Sequence, residues 1–453
     1  MIRPDPGSFR DPASHIVVDD ERVLRLLDDR GLAGWRALSE TDFFHQVTED
    51  GRLIHAKEID SGGFEAAGIL EHPKVPFISY PYEWTFSMLR DAALLQLDLL
   101  ERALLAGLTI KDATPFNIQF VAGKPMFIDI GSFEAYTPGE PWIGYRQFTR
   151  QFLFPLMMRS WAGIPFQPWL RGNMEGPTAA EMKALLPRSA RSRPTALMHV
   201  TLQARMEEQM SGAAVRDGLK TAGFTAELIL NNVRKLKKTV SGLTWDGSGE
   251  GWVEYDQCTH VGRDRESKGS FLSGAIERLG SSRVLDLGAN DGYFSEIAAQ
   301  SGAVAVAVDG DEQVLDALYR RGTTVSLVLT DLTNPSPAQG WAGVERPGLM
   351  ERADPDLVVA YGLIHHLIYT ASIPPTTVVD WLASFGCPVI VEFVSPEDEM
   401  VSRLTANKTD AELHPGRTRA EFEEIVSRHF ETLSTSELGG GVRVLYELTP
   451  IKG

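Results

Sequence analysis

With 453 residues the chain exceeds the roughly 100–200 of one ordinary domain, and 43% hydrophobic with 23% charged residues gives each half material for its own core. A formal net charge of −17 sets a field of the wrong sign for polyphosphates and speaks against nucleic-acid binding. No apolar run reaches the about 18 residues of a membrane span, and the start of the chain lacks a signal-peptide core. Two cysteines, Cys258 and Cys387, make neither a disulfide framework nor a zinc set, so a cytoplasmic protein is expected.

The predicted order is an N-terminal domain over residues 1–240, a linker at 241–251 rich in Gly, Ser and Thr, and a second domain over 252–453. After an irregular opening, residues 43–59 read as a hairpin. Phe44, Gln46 and Thr48 precede Asp50-Gly51, and an apolar segment follows it. Residues 87–106 predict a long helix with a wide face of Leu94, Leu95, Leu97, Leu99, Leu100, Ala103 and Leu104, stopped at Gly107. Two apolar runs, 117–121 and 126–130, are split by Ala-Gly-Lys-Pro and read as another hairpin. Residues 142–238 are expected to be mainly helical, with Trp142, Tyr145, Phe148, Phe152 and Trp161 as core. Arg234, Lys235, Lys237 and Lys238 read as a solvated helix face.

The second half alternates helix and strand. A helix at 268–278 precedes a strand at 283–287, then helix 292–299, strand 303–309, helix 312–320 and strand 325–329. Strands at 357–361 and 389–393 and a late pair complete it. Continuous Val, Leu and Ile in such strands predicts a parallel sheet covered on both faces.

The central motif is Val284-Leu285-Asp286-Leu287-Gly288-Ala289-Asn290-Asp291-Gly292. A buried strand ends in acid, passes a glycine turn and opens a helix. Gly288 lets a ligand approach the backbone, and Gly292 lets the helix start tight against the strand. About 20 residues on, Asp309 ends the next strand, placed for ribose hydroxyls. Asp331-Leu332 follows the third strand and suits an adenine edge and face. Past the fourth strand come His365 and His366, and Glu392 lies in the fifth. Histidine titrates near neutrality and suits a general base, with His366 preferred. Glu392 is placed to orient a histidine or bind an acceptor. A metal site of His365, His366, Glu392 and His414 lacks spacing support, so none is expected.

Across roughly residues 252–453 these motifs resemble the class I S-adenosylmethionine-dependent methyltransferases, with Asn290 standing where the family's middle glycine falls. The resemblance implies a Rossmann-like seven-stranded sheet and S-adenosylmethionine as cofactor. It places Asp286, Gly288, Asn290, Gly292, Asp309, Asp331 and Leu332 around that cofactor, with Asp286 and Gly288 at its amino-acid end. The stretches Glu392–Asp398, Met400–Leu404, His365-His366, Lys111-Asp112-Ala113 and Pro141–Phe148 further resemble a bacterial family of two-part methyltransferases named after nodulation proteins.

In the first half, Asp112, four residues, Asn117, a short hairpin and then Asp129-Ile130-Gly131 resemble the catalytic and metal loops of kinases. Lys57 stands for the strand lysine that holds phosphates. The pattern departs in lacking a glycine-rich loop before Lys57, since Gly62-Gly63 follows it, and in having Lys111 before the aspartate. The resemblance implies an α+β, mainly helical, kinase-like domain that serves as a degenerate scaffold, with Mg2+ and ATP as its ligands if it is active. The leading expectation is O-methylation of a small-molecule or glycan-type acceptor. The alternatives are a bifunctional kinase-methyltransferase acting on a polysaccharide or carrier-linked substrate, and a non-catalytic cofactor-binding scaffold.

Overall fold

In the computed structural model, residues 3–19, 22–60, 63–209, 225–247 and 261–451 are described. Residues 248–251 of the expected linker and Cys258 lie outside them. The chain divides into two compact units: Met1–Asp246 with Ala338–Arg346, and Gly247–Pro337 with Pro347–Gly453.

Unit 1 opens on a five-stranded antiparallel sheet. Its strands are β1 (Arg3–Pro4), β2 (Ser14–Val18), β3 (Val23–Leu27), β4 (Lys57–Ile59) and β5 (Gly68–His72), in the order β1-β2-β3-β5-β4. The irregular opening expected for this region is therefore corrected. Val17, Leu24 and Ile69 pack into a small core that Leu26, Ile59 and Phe64 extend, which is enough apolar surface to hold short strands. The hairpin expected at 43–59 is corrected too. Asp42–Glu49 is an α-helix, and only Lys57–Ile59 pairs as a strand. Phe43, Phe44 and Val47 are buried along one helical face, and the Thr41 side chain caps the helix by accepting from the Phe44 N–H. Asp50-Gly51 ends this helix, with Gly51 at φ 69°.

The long helix runs Phe86–Leu105. Thirteen of its side chains are buried, so it forms the spine of the unit's larger core. Gly107 follows with φ 78°. Strands β6 (Leu108–Ile110) and β9 (Phe133–Ala135) pair antiparallel, and β7 (Ile118–Val121) and β8 (Lys124–Phe127) make the second expected hairpin. Helices then dominate, up to Ala226–Ser241. Trp142, Phe148 and Phe152 are core, while Tyr145 and Trp161 are half-buried. The basic face of helix Ala226–Ser241 is not purely solvated. Arg234 and Lys237 pair with Glu101 and Asp98 of the long helix.

Unit 2 is a seven-stranded sheet of β10 (Arg283–Leu287), β11 (Val304–Asp309), β12 (Ser326–Leu329), β13 (Leu357–Ala360), β14 (Val389–Val394), β15 (Phe430–Leu438) and β16 (Arg443–Pro450). Its order is β12-β11-β10-β13-β14-β16-β15. The first five are parallel, and β16 runs antiparallel beside β14 and β15. Every residue of β13 and β14 is buried, as strands covered on both faces require. This order is that of the class I methyltransferase fold. The strand sequence reverses between β10 and β13, which opens a crevice at the carboxyl edge of the sheet.

Gly292, at φ 78°, caps helix Tyr293–Gln300, and a Cβ there would come within 2.2 Å of Leu318 Cδ2. Gly292→Ala is expected to cost on the order of 3 kcal/mol through left-handed backbone strain plus overpacking. Scanning calorimetry would register this as a midpoint several degrees lower, and an unchanged midpoint would contradict the packing described.

Candidate functional site

The carboxyl edge of unit 2 holds a cavity of about 920 Å³. One end is built by the turn after β10. Gly288 has φ 75° and Asn290 φ 48°, and this left-handed pair folds the backbone around the cavity's floor. A Cβ at Gly288 would approach Leu363 at 3.3 Å, so glycine keeps the turn open beneath the loop that follows β13. Asp309 ends β11 and accepts from the N–H groups of Asn290 at 2.7 Å and Asp311 at 2.9 Å. Its carboxyl is raised above the usual range, first by burial and partly offset by those N–H donors. Asp331 accepts from the Thr333 N–H and hydroxyl and lines the wall beside Leu332.

Gly288, Asn290, Asp309, Asp331, Leu332 and His366 all reach the cavity wall. Gly292 stands behind, where its φ starts the helix. Asp286, His365 and Glu392 also stand behind the wall among the described residues. Asp286 is 1% exposed and accepts from the Ser295 hydroxyl at 2.5 Å. Burial pushes its pKa up to about 7, with the charges of Asp309 and Asp291 adding to the rise.

His366 opens a π-helical turn, His366–Thr370, a geometry frequent at functional sites. Burial first, then the Arg443 charge, holds its pKa down to about 4, so the ring is neutral at pH 7. His365 is 1% exposed, and its two ring nitrogens have no hydrogen-bond partner among the described residues. The two rings lie 4.3 Å apart. Glu392 is fully buried, and its oxygens accept from Lys268 at 2.7 Å, the Gly362 N–H at 2.8 Å and Arg443 at 3.2 Å. Those partners are two cations and a backbone group rather than a histidine. His414 bonds the Ser372 carbonyl, and no cluster of three or more potential ligands for a metal occurs among the described residues.

The sequence reading passed over Arg265, Lys268 and Arg443. All three line the cavity, and each is ion-paired, with Asp291, Glu392, and Glu392 plus Asp398 respectively. No local motif marks them, because the partners come from distant segments.

In unit 1, Asp112, Asn117 and Asp129 fall in one polar cluster. Ser132 donates to Asp129 at 2.6 Å, Asn117 donates to Ser132 at 3.2 Å, and the Asp129 charge helps raise Asp112, second to burial. Lys57 is exposed on the edge strand β4 and is not among those contacts. The cation at Asp129 is instead Arg25 of β3, buried and 3.0 Å away. Asp129 is therefore already neutralised by a guanidinium, and the residues do not fit a magnesium site.

Since Asp286 has its pKa raised from 3.8 to about 7, the folded state holds its proton more tightly than the unfolded chain. The stability this contributes is complete below about pH 4 and is lost as the pH rises through about 7. Asp286→Asn is expected to be more stable than wild type at pH 8 and to lose that advantage by pH 4. Melting curves across that range with no such crossover would contradict the burial assigned to Asp286.

No protein-family model matches the chain. It is 32% identical over 458 residues to nodulation protein NoeA of Rhizobium meliloti (strain 1021), covering 97% of this chain and 94% of that protein. Among solved structures it is similar to the N-methyltransferase NodS from Bradyrhizobium japonicum WM9 in complex with S-adenosyl-L-homocysteine. That match has 15% identity and a TM-score of 0.30, over 44% of this chain and 92% of that one. It is also similar to magnesium protoporphyrin IX methyltransferase (ChlM) from Synechocystis PCC 6803 with bound SAH, at 14% identity and TM-score 0.31, over 44% and 90%. Carried by the near-complete NoeA match, the assignment is direct: the chain belongs to the nodulation protein NoeA family.

Proposed function

We propose that the protein is an S-adenosylmethionine-dependent methyltransferase that methylates a hydroxyl of a small-molecule or glycan-type acceptor, with His366 taking the proton. The observation that carries this reading is the meeting of Gly288, Asp309 and Asp331, each from a different strand end, on one cavity at the switch point of the sheet. The residues fit the cofactor. Asp309 is placed for the ribose hydroxyls and Asp331 with Leu332 for adenine, while the Gly288–Asn290 turn leaves backbone room for the amino-acid end.

When bound, the cofactor supplies an electrophilic methyl group on a sulfonium. The chain's own residues supply position and a proton acceptor. Holding both reactants in one cavity accounts for much of the rate in such displacements. His366, Thr370 and Glu397 line the cavity and can hydrogen-bond hydroxyls. As the carbon–oxygen bond forms, the acceptor's hydroxyl proton becomes strongly acidic. A neutral imidazole, even a weak base such as His366, then suffices to take it. In this reading unit 1 is an accessory, kinase-like scaffold, and phosphoryl transfer is no part of it because Arg25 already occupies Asp129.

Two measurements test the proposal. Titration calorimetry is expected to show S-adenosylmethionine binding that Asp309→Ala weakens by about a hundredfold, since a buried hydrogen-bonded pair to the ribose is lost. Equal affinity in the variant would remove the cofactor assignment. With an acceptor identified from the mass shift of metabolites incubated with labelled donor, His366→Ala is expected to lower turnover by about 10²-fold at nearly unchanged donor affinity. Wild-type turnover in His366→Ala would place the proton acceptor elsewhere.

A further inference from the structure

Eight carboxylates line the cavity: Asp264, Asp291, Asp309, Asp311, Asp331, Glu397, Asp398 and Glu399, against three cations, Arg265, Lys268 and Arg443. A donor whose sulfonium carries positive charge gains from that surplus, whereas the thioether left after transfer does not. Two of the three cations share one partner. Lys268 comes from helix Val261–Leu279 and Arg443 from the start of β16, and both reach the same carboxylate of β14. Arg443 has a second anchor in Asp398, which it meets at 2.8 and 3.0 Å. Among the described residues, Lys268 ion-pairs with Glu392 at 2.7 Å.

We propose that Glu392 is an electrostatic positioning residue: by cancelling from behind the cavity wall the Lys268 charge, while Asp398 pairs with Arg443, it lets the site prefer the cationic donor over the neutral thioether product. The inference rests on the methyltransferase reading and deepens it. Its basis is geometric. A fully buried carboxylate touches two cavity-lining cations and the N–H of Gly362, itself a cavity-lining residue whose φ of 59° starts the histidine loop. Removing the carboxylate would leave the Lys268 ammonium uncompensated in the wall of the cavity that would hold the sulfonium. At an effective dielectric of about 20, a unit charge roughly 10 Å away shifts an equilibrium on the order of tenfold.

The test is the ratio of S-adenosylmethionine to S-adenosylhomocysteine affinity, because the two ligands differ in the methyl group and its charge. A role in holding the fold moves both affinities together and leaves the ratio alone. In Glu392→Gln, whose amide can still accept from Gly362, the preference for the donor is expected to fall by about tenfold. Adding Lys268→Met to that variant is expected to restore the ratio, and Glu392→Asp, which keeps the charge, is expected to preserve it. If Glu392→Gln does not fold, Lys268→Met alone reads the same effect with opposite sign, since losing the cation should raise the preference for the donor. An unchanged ratio in Glu392→Gln, or in Lys268→Met when that variant stands in, overturns the inference. Failure of wild type to bind either ligand would instead remove the methyltransferase reading beneath it.

Discussion

A parallel sheet presents its strand ends, with their last side chains and freed backbone groups, along one edge, and everything in unit 2 follows from where that edge is split. Because β10 has β11 on one side and β13 on the other, the loops leaving β10 and β13 part in opposite directions and leave space between them. The residues that end these strands consequently meet at that space. Gly288, Asp309 and Asp331 line it together, and main-chain donors from Asn290 and Asp311 secure Asp309 beside the Gly288 turn.

The cost of this arrangement is a concentration of carboxylates in a confined space. The structure manages it in two ways. Where no cation is at hand, as at Asp286, burial and neighbouring acids push the carboxyl towards its neutral form. Where cations are at hand they are ion-paired with acids. Lys268 and Arg443 are tied to Glu392, and Arg265 to Asp291. A buried ion pair is poor evidence of stability, since desolvation opposes it. Its placement against the cavity wall is the basis of the selectivity role proposed for Glu392.

The second unit was largely legible in the sequence. Strands buried on both faces read as unbroken apolar runs, and their acidic tips fall at regular separations, so Asp309, Asp331 and the Gly288 turn could be placed without coordinates. Glu392 illustrates the limit. Its position near the rim follows from the strand pattern, but its partners lie 124, 30 and 51 residues away in the chain, and no local signal pairs them. The first unit was harder. Asp50-Gly51 carries the same turn signal whether it closes a hairpin or ends a helix, and the burial of Phe43, Phe44 and Val47 on one face decided for the helix. The strands before residue 28 are short and form around a small core, which a pattern search passes over. Arg25 was missed for that reason, and it, not Lys57, is the cation paired with Asp129.

Membership of the NoeA family covers both units. The central claim nevertheless concerns the cavity at the β10–β13 split. Co-crystallisation with S-adenosylhomocysteine addresses it most directly. The account predicts the nucleoside in that cavity with its ribose hydroxyls on the Asp309 carboxylate and its adenine beside Asp331 and Leu332. A cavity left empty at saturating ligand, or a nucleoside bound elsewhere on the chain, would contradict it.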